Sequence, residues 1–155
     1  AFSASNRKSR LRTRSPRCGR GKSFGGYAGL SVRLASNIVE RAANTTEGAV
    51  EFVGGRYRGK AAAADYSGKF DGREAGIAIV DSPSNTNSPS PWYVINDKVM
   101  SYFSPAVICY RPLTLKAGDS LRLRYRVLVH PDRWDATELK NQAARFAADK
   151  SSQRP

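Results

Sequence analysis

A chain of 155 residues, 40% hydrophobic and 25% charged, has the size of one domain and apolar content for a modest core. Its formal net charge of +13 points first to polyanions, but residues 1–22 hold eight of the 26 basic residues and no acid, which leaves 18 basic against 13 acidic residues, or +5, elsewhere. One histidine and two distant cysteines, Cys18 and Cys109, exclude multi-histidine metal sites and disulfide frameworks, and no apolar run nears the ~20 residues of a membrane span.

Residues 1–22 are rich in Ser, Arg, Lys and Gly and have little to bury. They read as a basic disordered tail that touches nucleic acid only non-specifically, through phosphates. A folded domain is expected over 23–150. Glycines at 25, 26 and 29 give a flexible entry, and Leu30–Leu34 alternates as a strand. Ala49–Val53 reads as a strand, Gly54-Gly55 as a hairpin turn and residues 57–66 as the return strand, although four alanines, Ala61–Ala64, prefer helix. Asp71-Gly72 marks another turn, and Gly76–Asp81 is a short apolar run of the kind found in buried strands.

Four serines and three prolines make residues 82–91 a loop. Trp92–Ile95 and Ala106–Tyr110 follow as strands, with Cys109 as a small buried hydrophobe. A turn at Lys116–Asp119 precedes the clearest alternation in the chain. Leu121, Leu123, Tyr125, Val127 and Val129 share the face expected in the core; Arg122, Arg124 and Arg126 share the face expected in solvent, and His130 points with them. Asp135 is placed to cap a helix over 135–148, with Glu138 in the capping-box position and Leu139, Ala143 and Phe146 along one side. The fold class is therefore all-β, an antiparallel β-sandwich with one short C-terminal helix.

The sequence has no HExxH, CxxC pair, phosphate-binding glycine-lysine loop or GxSxG. Asp65 and Asp81 end apolar runs, where a side chain either emerges from a sheet to act or starts a turn. Asn85, Asn87, Trp92 and Tyr93 combine amides with aromatic faces, as a sugar-binding cleft does, while Trp92 fits a core position equally well. His130 suits a general acid or a structural role, and Arg133 beside Trp134 suits a cation–π contact. The candidate binding surface is Arg33, Asp65, Asp81, Asn85, Trp92 and His130. No catalytic set, metal site or cofactor is assigned.

Residues 25–35 (Gly-Gly-Tyr-Ala-Gly-Leu-Ser-Val-Arg-Leu-Ala), Asp65-Tyr66-Ser67-Gly68, Gly76–Asp81 and Arg124–His130 follow one another as the motifs of a known group do. Over roughly residues 22–148 the chain resembles the PmoA-like family, uncharacterised bacterial proteins labelled "methane oxygenase PmoA". That family often has Asp-His-Pro where this chain has Asp81-Ser82-Pro83. Its members are about twice as long, so the likeness is to a C-terminal half. The label implies a copper monooxygenase subunit in a membrane, against which stand the single histidine and the lack of a span. The Lys116–Leu121 turn is similar to the closing strands of mutarotase-like sugar enzymes, which implies a fragment of a supersandwich.

The resemblance thus implies a soluble bacterial domain, cytoplasmic or exported from a longer precursor, that binds or processes a sugar-like ligand in carbohydrate metabolism. One rival is a non-catalytic structural or interaction half-domain or truncated product, self-associating through an open sheet edge. The other is nucleic-acid binding through the tail.

Overall fold

Most of the strands follow alternating apolar residues within residues 29–149, which are the residues that the computed structural model describes. The basic tail and most of the glycine entry lie outside them. The strands are β1 (Val32–Arg33), β2 (Val39–Thr45), β3 (Gly48–Ala49), β4 (Arg56–Lys60), β5 (Ala63–Phe70), β6 (Arg73–Asp81), β7 (Pro91–Asn96), β8 (Ser101–Pro105) and β9 (Tyr125–Pro131), followed by helix α1 (Ala136–Ala148). They form two antiparallel sheets: four strands in the order β1-β8-β7-β4 and five in the order β3-β2-β5-β6-β9. No helix among the described residues is long and apolar enough to cross a membrane.

Ala43, Ala64, Tyr66 and Ile79 of the larger sheet meet Trp92, Val94 and Phe103 of the smaller one in the main core. The opposite face of the larger sheet is covered by α1, whose Leu139 and Phe146 pack on Ala63, Ala78 and Val80. Fully burying a side chain such as Leu139 contributes roughly 1.5–3 kcal/mol. Alanines at 63 and 78 keep the sheet surface low where the helix lies. The helix starts where the capping pattern puts it, the Glu138 amide donating to Asp135 Oδ1 at 2.9 Å.

Turn chemistry is equally local. Gly54 and Gly55 take φ of 57° and 72°, a left-handed pair that side chains disfavour, and close a hairpin in which Val53 and Arg56 exchange backbone bonds of 2.9 and 3.1 Å. Asp71-Gly72 joins β5 to β6, and Asp119 turns back onto Lys116.

Several expected elements differ. Residues 57–66 are not one return strand: β4 and β5 belong to different sheets, and the chain crosses between them at Ala61-Ala62. The alanines there suit tight burial, Ala61, Ala63 and Ala64 being at most 1% exposed. Ala106–Tyr110 is a turn closed by the Cys109 amide on the Ala106 carbonyl at 2.7 Å, and the strand lies just before it as β8. Cys109 is buried, as its apolar setting suggests. β2 has no strand signature; its Glu, Arg and Ala are helix formers overruled by pairing with β5. The Leu30–Leu34 strand shortens to β1.

The last strand departs most. It begins at Tyr125, so Leu121 and Leu123 are outside it. Val127 and Val129 share the side of Tyr125, which packs in the inter-sheet core, yet are 46% and 79% exposed. The helix covers the other side, where Arg126 reaches Asp149 at 2.7 Å and lies over the Phe146 ring, and where His130 is buried. The expected polar face is thus the covered one.

Candidate functional site

Direct partners across an antiparallel pair project from the same face of a sheet. Asp65 on β5 is opposite Ala78 on β6, and Gly76 on β6 is opposite His130 on β9. All four belong to the face that carries α1. His130 therefore spans the width of β6 to reach Asp65, with Nε2 2.8 Å from Oδ1. It can do so because residue 76 has no side chain: a Cβ there would lie 2.5 Å from His130 Cε1 and 3.0 Å from Asp65 Oδ1. Trp134 stacks on the imidazole, 3.8 Å between ring centres and 8° from parallel. Asn44 of β2 holds that segment by donating to the Trp134 carbonyl at 3.0 Å.

The proton inventory follows from the partners. The Pro131 carbonyl, 2.9 Å from His130 Nδ1, can only accept, so Nδ1 carries hydrogen. The contact between Nε2 and Asp65 then needs one more proton, held either as imidazolium with carboxylate or as imidazole with carboxylic acid. Both ring nitrogens are engaged within the protein. Burial pushes the Asp65 carboxyl above its ordinary pKa, and the charge and hydrogen bond of His130 pull it back. The Ser67 hydroxyl also favours the ionised form, but lies outside hydrogen-bonding geometry; among the described residues Asp65 Oδ2 and Ser67 Oγ have no partner.

Asp81 closes β6 and pairs with Tyr125, on the face turned to the other sheet. Its Oδ1 accepts from the Asn85 amide at 2.7 Å and its Oδ2 from the Ser90 N–H at 2.9 Å. Asn85 also donates to the Arg124 carbonyl and accepts from the Arg124 N–H, both at 2.7 Å. The two residues sew the 82–90 loop to the start of β9. The Tyr125 phenol is pushed up to about 12, by burial first and then by the charge of Asp81.

Of the six candidate residues, then, Asp65 and His130 meet on one face of the sheet, and Asp81 and Asn85 meet on the other. Trp92 is fully buried in the inter-sheet core, its indole N–H donating to the Ala61 carbonyl at 2.8 Å. Arg33 is exposed on β1, in the other sheet. Asp65 is in mid-strand, not at a strand end. Asn87 donates to the Val107 carbonyl and Tyr93 is buried. Arg133 bonds Glu74 at 2.9 Å and the Glu40 carbonyl at 2.7 Å, while its neighbour Trp134 serves His130. Sequence reasoning missed the parts of Gly76 and Trp134. A glycine inside an apolar strand is itself a sign of close approach. Among the described residues no three His, Cys, Asp or Glu side chains gather as a metal centre would need.

The third feature is an edge. β9 pairs with β6 on one side, and among the described residues no strand pairs with its other side. Among the described residues the remaining edge strands are two residues long (β1, β3) or bear Arg56, Arg58 and Lys60 (β4), and the part of β2 that β3 leaves uncovered, residues 39–42, carries Glu40 and Arg41.

Residues 2–144 match the model of a family of unknown function, DUF6807, and the chain belongs to that family. No curated protein and no solved structure matches it.

Proposed function

We propose that this domain is an interaction module that receives an extended strand of another polypeptide on the outer edge of β9. One observation carries the reading: among the described residues no strand pairs with the outer edge of the seven-residue β9, which presents Val127 and Val129 to solvent. Edge strands are ordinarily kept short or charged to prevent pairing, and the other three here follow that rule. Main-chain bonds to an added strand supply affinity, and alternate side chains supply selectivity.

The buried pair supports this role. His130 is on β9 itself, so its bond to Asp65 and its stack on Trp134 fix the receiving strand to β5 and to the lead-in of α1. A strand held in this way loses little freedom on pairing. An acid–base role would require a ring nitrogen free for substrate, and both are taken. A sugar-binding role would draw on Asn85 and Trp92, which are engaged in the loop seam and the core.

The test is amide hydrogen exchange on the full chain at low concentration, with and without a seven-residue alternating Val–Thr peptide in excess. The outward amides of β9 are expected to exchange rapidly alone and to gain protection with the peptide, and Val127→Lys with Val129→Lys is expected to remove that protection. Protection confined to any other strand would overturn the reading.

A further inference from the structure

We infer that the occupant of this edge is a second copy of the same chain, with the two β9 strands antiparallel about Leu128. The inference rests on the edge-pairing reading above and names its partner. β9 runs from Tyr125 to Pro131, and Leu128 is its midpoint. Only the register centred there pairs all seven residues of each strand. In that register Val127 is opposite the other copy's Val129, and the reverse, on the face where both are exposed. Apolar β-branched pairs directly opposite one another are favourable, whereas like charges so placed are not.

The other face agrees. There Arg126 falls opposite His130 of the second copy, a pairing that two basic residues would normally oppose. Each already has its own acid: Arg126 bonds Asp149 at 2.7 Å and His130 bonds Asp65 at 2.8 Å. A chain of net charge +13 repels its copies in general, so a contact whose basic groups are internally compensated is the place where two copies can meet. The two five-stranded sheets would become one continuous sheet of ten strands, and two edges would be removed at once.

Cross-linking reads the register directly, because residues opposite one another across an antiparallel pair stand about 4.5–5.5 Å apart at Cα, within disulfide reach. Full-length Val127→Cys and Val129→Cys are each oxidised alone and then as an equimolar mixture. Both positions are exposed, so neither change threatens the fold. The mixture is expected to give a cross-linked dimer, and neither variant alone is. Sedimentation of the native chain should show dimers that grow with concentration, and Val127→Lys with Val129→Lys should raise the midpoint concentration by about tenfold or more.

Cross-linking of one variant with itself through a disulfide between its two introduced cysteines would overturn the register. An intramolecular disulfide from either cysteine to Cys18 would place the N-terminal segment on this edge and overturn the second copy. A chain that stays monomeric at every concentration, yet gains β9 protection from the Val–Thr peptide, would remove the second copy and leave the edge-pairing reading intact. A monomer without that protection would remove both.

Discussion

Asp65 and Asp81 are both buried carboxylates in the same sheet, 0% and 3% exposed, yet they are built in opposite ways. Asp81 takes donors from residues four and nine positions along the chain, one on each oxygen. Asp65 takes a donor from a histidine 65 positions away, and among the described residues its second oxygen has no partner. The first is a local turn motif that any chain with this loop can assemble. The second exists only after three strands are in register. A buried carboxylate satisfied by its own loop stabilises that loop; one satisfied across strands fixes the strands to one another.

The largest effect should come from removing the long-range partner. His130→Ala would leave Asp65 buried with neither oxygen paired and Trp134 without its stacking ring. Breaking a buried pair in this way costs about 3–5 kcal/mol, read as a fall in the urea midpoint. A loss below about 1 kcal/mol, as for an exposed pair, would show that the site is wetter than its burial implies.

Asp81→Asn ranks next. The amide keeps one acceptor but turns a donor toward either the Asn85 amide or the Ser90 N–H, so one bond to a charged acceptor is lost. Such bonds are worth roughly 1.5–3 kcal/mol. The damage should stay local: proteolysis within residues 82–90 should accelerate, while the β5 and β9 amides keep their protection. Equal loss of protection in β5 would mean that the two carboxylates are energetically one unit.

Gly76→Ala tests the geometry between them. The new methyl meets a ring clamped between β6 and Trp134, and such overpacking costs about 1–3 kcal/mol. The cost should shrink in the His130→Ala background, where the ring is gone. Additive losses, within about 0.3–0.5 kcal/mol, would show that the methyl strains the backbone and not the imidazole.

The same contrast explains what could be read from the sequence. Asp135, the Gly54-Gly55 and Asp71-Gly72 turns and the Lys116–Asp119 turn depend on neighbours within a few residues, and each is where local chemistry puts it. The sandwich itself follows from repeated alternation. β2 was illegible because its helix-prone residues become a strand only by pairing with β5. The two sides of β9 were interchanged because alternation shows that two faces differ, not which one a distant helix covers. Asp65 and His130 could be singled out individually, but nothing within either neighbourhood says that Gly76 lets them meet. The Arg126 side could read as solvent-facing only until Asp149 and Phe146 were found beside it.

The two regions should also respond at opposite ends of the pH scale. Burial holds the Asp65 carboxyl above its ordinary pKa of 3.8, so the folded chain binds that proton more tightly than the unfolded chain does. Its contribution is fully present below 3.8 and is lost as pH rises through the folded pKa. The stability of the native chain relative to Asp65→Asn should therefore be greatest at the acid end and decline as the carboxyl ionises. A difference that grows with pH instead would show that attraction to His130 outweighs burial. Beside Asp81 the responsive group is the Tyr125 phenol, raised from 10.0 to about 12. Its contribution is complete below pH 10.0 and is lost as pH climbs through about 12. Relative to Tyr125→Phe the native chain should hold its stability across neutral pH and lose it only in alkali. In an Asp81→Asn background that alkaline loss should be smaller and should end at a lower pH, because the carboxylate no longer opposes ionisation of the phenol in the folded chain. An alkaline loss of unchanged size would assign the whole shift to burial and leave Asp81 with the loop alone.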